Sequence, residues 1–206
     1  MSGDGAEVLV PPARLPRWTE NFTGRHGATG LAVVDGALTG TAEDGSDFVA
    51  RLPFDAAYAG PADPASLAEA CGPPPSWGVL LVRKGGFAVA RLEGERLVAS
   101  KTGSRHVQGR TKAGGQSQQR FARRRDNQAR AAYDAAADHA VRVLDDVRLL
   151  VTGGDHEAVA AVLADRRLAG VGVVGPWLAV PDPRRSVLEQ AVQDAQAVRV
   201  VVRNRG

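Results

Sequence analysis

From Trp77 onward, apolar and polar positions fall into three short runs, Trp77 to Arg83, Phe87 to Leu92 and Arg96 to Ser100, separated by Lys84-Gly85-Gly86 and Glu93-Gly94-Glu95. Runs of this length bounded by glycine turns predict an antiparallel β-meander. The period then changes. Placed at about 100° per residue, Phe121, Ala129, Ala132, Ala136, Ala140, Leu144 and Val147 form one apolar stripe, which predicts a helix from Ser117 to about Asp146. Arg120, Arg123, Arg124 and Arg130 fall on the opposite face, with Arg125 near the apolar edge. Val147 to Thr152 follows as a buried strand, and Asp155 stands where an N-cap is needed for the next helix. A Gly/Val run at 170–174 suits a second strand. Pro183 to Ala197 reads as an amphipathic helix opened by proline, and Val198 to Arg203 as a final strand.

The first seventy residues are patterned differently. Residues 1–28 read as an extended lead-in with one short helix. Leu31 to Val34, Ala37 to Thr41 and Phe48 to Leu52 are strand candidates. Asp35-Gly36 between the first two is a hairpin signal, and Glu43-Asp44-Gly45-Ser46 forms an acidic turn before the third. A short Ala/Leu helix at 64–71 runs into Gly72-Pro73-Pro74-Pro75, the sharpest break in the chain. The expected organisation is a small β-rich N-terminal subdomain at 1–73 and an α/β (α+β) domain at 76–206, with helices flanking one mixed sheet.

Composition narrows the function classes. At 206 residues the chain can bury one good core, or a core with a small appended subdomain. Aromatic residues make up 5% against 44% apolar residues in all, so the core must come from Val, Leu and Ala. A single cysteine, Cys71, excludes an internal disulfide and any CxxC metal site. His26, His106, His139 and His156 have no ligand spacing, so neither a metal nor a cofactor is expected. With no apolar run of spanning length and no signal pattern, the expectation is a soluble cytoplasmic protein without a membrane partner.

The net charge of +3 is modest, but its distribution is not. Residues 101–130 carry Lys101, Arg105, Arg110, Lys112, Arg120, Arg123, Arg124, Arg125 and Arg130 against one acid, Asp126. Concentrated positive charge beside a glycine-punctuated loop is the electrostatic footprint of a phosphate-binding surface. Within that stretch, Gly114-Gly115-Gln116-Ser117 followed by Arg120-Phe121-Ala122-Arg123-Arg124-Arg125 resembles the catalytic loop of eukaryotic and archaeal class-1 release factors. Gln108-Gly109 ahead of it is similar to the Vms-like release factors, hydrolases of ribosome quality control. The block HVQGRTKAGGQSQQRFARRR most resembles their actinobacterial branch, with the likeness strong over about residues 77–165.

That resemblance implies an RNase H-like sheet of the release-factor central-domain type and a peptidyl-tRNA hydrolase acting at the peptidyl-transferase centre. The partners implied are the large ribosomal subunit and peptidyl-tRNA, not DNA, and a monomer is expected. Gly114 and Gly115 would let the backbone approach the ester closely. The Gln116 amide would stabilise the leaving ribose oxygen while its side chain shapes the water site. Gln108 is either a second functional glutamine or a loop-shaping side chain. Arg105, Arg110, Lys112, Arg120, Arg123, Arg124 and Arg130 are expected RNA contacts. Ser117 reads first as a helix cap and second as part of a phosphate-facing helix end. Two other readings stay open: a noncatalytic Pelota-like factor that rescues or protects stalled subunits by occupancy, and a free-RNA binder or nuclease. The latter lacks the clustered carboxylates that two-metal chemistry needs.

Overall fold

The N-terminal half of the structure is built on β-pairing between residues nearly two hundred positions apart. In this computed structural model, residues 5–84, 86–104 and 117–205 are described, without the side chains of 117–129. Strand β1 (Ala6–Val10) pairs antiparallel with β10 (Val198–Arg203), the last strand of the chain. Strand β10 in turn pairs with β4 (Asp47–Arg51), followed by β3 (Ala37–Ala42) and β2 (Thr29–Val34), giving the order β1-β10-β4-β3-β2. The β2–β3 hairpin turns on Asp35 and Gly36, both at positive φ, the geometry an Asp-Gly dipeptide accommodates best.

Alternation explains what covers this sheet. Leu38, Phe48, Ala50, Val198 and Val200 share one face and are fully buried. Helices α1 (Leu15–His26) and α2 (Pro64–Glu69) supply Leu15, Phe22 and Leu67 to the same cluster. Phe48 is its hub, meeting Trp18 and Phe22 edge-on at 5.2 and 5.1 Å between ring centroids. Cys71 packs at the margin, where burial pushes its thiol up to about 11. The acids of the β3–β4 turn are more engaged than a solvated turn requires. Asp44 accepts from the Ser46 amide and pairs with His26, each at 2.8 Å, while Asp47 pairs with Arg203 at 2.7 Å.

The second sheet has the order β7-β6-β5-β8-β9. Its strands are β5 (Trp77–Arg83), β6 (Gly86–Glu93), β7 (Arg96–Ser104), β8 (Leu149–Gly154) and β9 (Gly172–Leu178). The first three form the expected meander, and β8 then joins β5 in parallel. Helix α3 (Ser117–Leu144) follows β7, α4 (His156–Leu163) joins β8 to β9, and α5 (Arg185–Asp194) precedes β10. Three antiparallel strands, then a fourth and fifth added on the far side of the first, is the RNase H-like order. Asp155 caps α4 as the sequence predicted, accepting from the amides of Glu157 and Ala158.

The α+β class is as expected: the described residues form two five-stranded sheets and five α-helices. The last strand, expected beside the other C-terminal elements, lies in the first sheet, because its alternating valines complete the buried face there. The two compact units are accordingly Met1–Pro74 with Val174–Pro176 and Val192–Gly206, and Pro75–Val173 with Trp177–Ala191. The lead-in also holds a strand, β1, and a helix of twelve residues, α1.

Candidate functional site at the root of the basic loop

One edge of the second sheet collects most of its strand ends. Register pairs Arg83 with Gly86 and Gly86 with Ser104, so β5 ends, β6 begins and β7 ends together. The parallel pairing of β5 and β8 brings Gly154 to that edge, and Leu178 of β9 lies beside Gly153. The basic loop leaves here, after Ser104. Gly114, Gly115, Gln116, Gln108, Arg105, Arg110 and Lys112 all lie outside the described residues.

The chain is described again at Ser117, the first residue of α3. This helix runs antiparallel to β5: Leu144 sits over Gly78 at the start of the strand, while Ala132 and Ala136 lie near Val82 and Lys84 at its end. The lengths do not match. Twenty-eight helical residues at about 1.5 Å each make roughly 42 Å, whereas the seven of β5 at about 3.3 Å make roughly 23 Å. The packed half is the C-terminal one, where Ala136, Ala137, Ala140 and Leu144 are buried. Residues 117–130 therefore continue the helix for about 20 Å past the strand ends. Arg120, Arg123 and Arg124 lie on that extension, their side chains outside the described set, and Arg130 near its base is exposed.

Alanine makes the close packing of α3 against the sheet possible, and polar staples fix it. Arg167 reaches Asp138 of α3 at 2.6 Å while holding Asp165 at 2.6 Å. Arg91 lies 3.6 and 3.8 Å from Asp145 and Asp146, the pair that ends the helix. Phe87 stacks on His139 of α3, with centroids 5.3 Å apart. Burial, then Arg142 and Lys101, push the His139 imidazole below its ordinary value, so it packs as a neutral ring.

The Arg167 staple gives a pH prediction. Hydrogen bonds from the Arg167 side chain and amide hold the Asp165 carboxyl down at about 2, against about 3.9 when unfolded. A lowered folded value means the contribution is present above the unfolded one and is lost as pH falls through the folded one. Asp165→Asn keeps a competent cap but removes the charge. Its thermal melting is expected to lie below wild type from pH 7 down to about 4, then to converge towards pH 2. A gap that persists at the lowest pH assigns the loss to geometry rather than charge.

The other two histidines among the described residues serve as pairing and packing groups: His26 pairs with Asp44, and His156 stacks on Trp177 at 3.6 Å between centroids. One feature of the edge escaped sequence reasoning. A cavity of about 240 Å³ lies between the ends of β5 and β7 and the middle of α3. Its sequence signal was Lys84 beside a glycine turn and Gly103 opposite Phe87, where a Cβ at 103 would overlap the ring.

Among solved structures the chain is similar to one described as an archaeal protein, at 14% identity and a TM-score of 0.40, covering 76% of this chain and 51% of that one. It is also similar to a Vms1 mitochondrial localization core, at 10% identity and a TM-score of 0.43, covering 96% and 84%. The chain thus spans about half the length of the first. No curated protein matches it. Residues 75–201, which include the whole basic loop and α3, match the family model described as the Actinobacteria/chloroflexi VLRF1 release factor. The chain belongs to that release factor family.

Proposed function

We propose that the protein is a codon-independent peptidyl-tRNA hydrolase that frees nascent peptides from stalled or split large ribosomal subunits. The observation that supports this most is positional. Gly114-Gly115-Gln116 stands between the end of an edge strand and a helix that outreaches its sheet by about 20 Å, with arginines along the extension. A helix that runs past its sheet, with a basic loop before it in sequence, suits a reaction centre walled by RNA.

The chemistry asks little of side-chain acids and bases. A water oxygen attacks the ester carbonyl carbon, the bond to the ribose oxygen breaks, and the water's proton ends on that oxygen. Holding the water in line lowers the entropic part of the barrier. A backbone N–H aimed at the departing oxygen stabilises its developing charge where bulk water is excluded. The Gln116 amide takes the second role, its side chain borders the water, and the two glycines remove bulk that would hold the backbone away. The test is single-turnover release of labelled peptide from purified large subunits carrying peptidyl-tRNA. Release accelerated by this protein without a stop codon supports the reading; binding without release leaves a Pelota-like occupancy factor.

The arginines of the extension carry a separate prediction. Arg120→Ala, Arg123→Ala and Arg124→Ala together are expected to weaken subunit binding and flatten its dependence on salt. The slope of log K against log[salt] should fall by roughly 0.7 to 0.9 for each phosphate that the variant leaves unneutralised. Sedimentation at a series of salt concentrations measures it, and an unchanged slope would remove these residues from the interface.

A further inference from the structure

The cavity at the root of the loop has no part in the hydrolytic step, yet its composition is specific. Val82, Phe87, Ala132, Tyr133 and Ala136 give it mostly apolar walls, and Ser104 adds one hydroxyl. At about 240 Å³ it falls below the roughly 300 Å³ where sites for larger organic ligands begin, so it accepts one flat ring system. Its lip is cationic. Arg83 and Lys84 both line it; Arg83 donates to the Val180 carbonyl at 2.7 Å and lies 3.7 Å from Asp182. Lys84 is exposed and, among the described residues, meets no carboxylate in an ion pair. Arg130, also exposed, immediately precedes the lining residue Ala131.

Burial, then Asp155 and Glu157, raise the Tyr133 phenol above its ordinary value. Asp155 is engaged as the cap of α4. An apolar slot with a cationic lip matches a nucleotide, whose aromatic base and anionic phosphate are joined at about this spacing. An apolar peptide side chain would fill the slot and leave the cations unused. Resting on the reading of this domain as one that works among ribosomal and transfer RNA, we infer that the cavity receives one unstacked base of an RNA strand. Tyr133 and Ala132 border the ring, and Lys84 meets the adjoining phosphate.

The test uses the full chain and a short single-stranded oligoribonucleotide carrying one 2-aminopurine, beside the same strand abasic at that position. Wild type should quench the 2-aminopurine and bind the intact strand roughly tenfold tighter than the abasic one, the scale of a single stacked base. Ala132→Leu, at a half-exposed position, should fill the slot and erase that preference. Lys84→Ala, at an exposed position, should keep the preference while lowering the salt slope by about 0.7. Equal binding of both strands by wild type, no binding at all, or a preference that survives Ala132→Leu overturns the inference. The hydrolytic reading is judged separately, by release on large subunits. Release that depends on Gly115 without base preference defeats only the cavity, and base preference without release defeats only the hydrolase.

Discussion

Gly115→Ala and Gln116→Ala are each expected to reduce peptide release by on the order of a hundredfold or more, with binding to large subunits nearly unchanged. For Gly115→Ala that is the scale of misplacing one preorganised donor to a developing oxyanion, and for Gln116→Ala of a water no longer held in line. The two variants fail for different reasons. A methyl group at 115 restricts the backbone and adds bulk where the amide must approach the ester. Alanine at 116 keeps the amide but deletes the side chain that borders the water. If the triplet serves the reaction rather than the fold, stability should change by no more than about 0.5 kcal/mol, the scale of a substitution outside a core. Single-turnover release and thermal melting on the same preparations separate chemistry from folding. Wild-type rates from Gly115→Ala would end the hydrolase assignment, and Gln108→Ala run beside it tests whether the first glutamine contributes.

What could be read from sequence was whatever depended on near neighbours. The meander β5–β7 was legible because its strands are short and its turns contain glycine, and its bounds differ from expectation by a few residues only. The Asp155 cap and the switch from strand to helix at Ser117 were legible for the same reason. Strand β1 was hidden because Ala6–Val10 runs into two prolines and looks like any extended lead-in; its ladder partners lie at 198–202. The sheet to which β10 belongs was hidden for that reason too, since alternating valines satisfy either sheet until a partner is chosen. At the candidate site, charge and glycines are what the proposed RNA chemistry rests on. How far the arm extends was not visible, because it depends on a mismatch between α3 and β5 rather than on either alone. The cavity combines four elements, so no local window displays it.

If the arm works because its base is rigid, the largest structural effect should come from Leu144. The buried stripe of α3 is mostly alanine, and Leu144 is its one large, fully buried side chain among the described residues. It fills the space above Gly78, where a Cβ would lie 2.5 Å from its Cδ2. Leu144→Ala empties that space and leaves a void that neither Gly78 nor the small neighbours on α3 can close. A loss of about 2–5 kcal/mol is expected, a large part of the roughly 5–15 kcal/mol that holds a domain folded. Urea unfolding followed by helical circular dichroism should show a lower midpoint with an unchanged slope. Gly78→Ala attacks the same joint from the strand side by overpacking, costing about 1–3 kcal/mol. Because the two residues touch, the double variant should not show the sum of the two losses: the shorter side chain makes room for the added methyl. Additive losses would place the footing of α3 elsewhere, on the Arg167 and Arg91 staples, and the 20 Å of helix beyond the sheet would then be steered by charge rather than by packing.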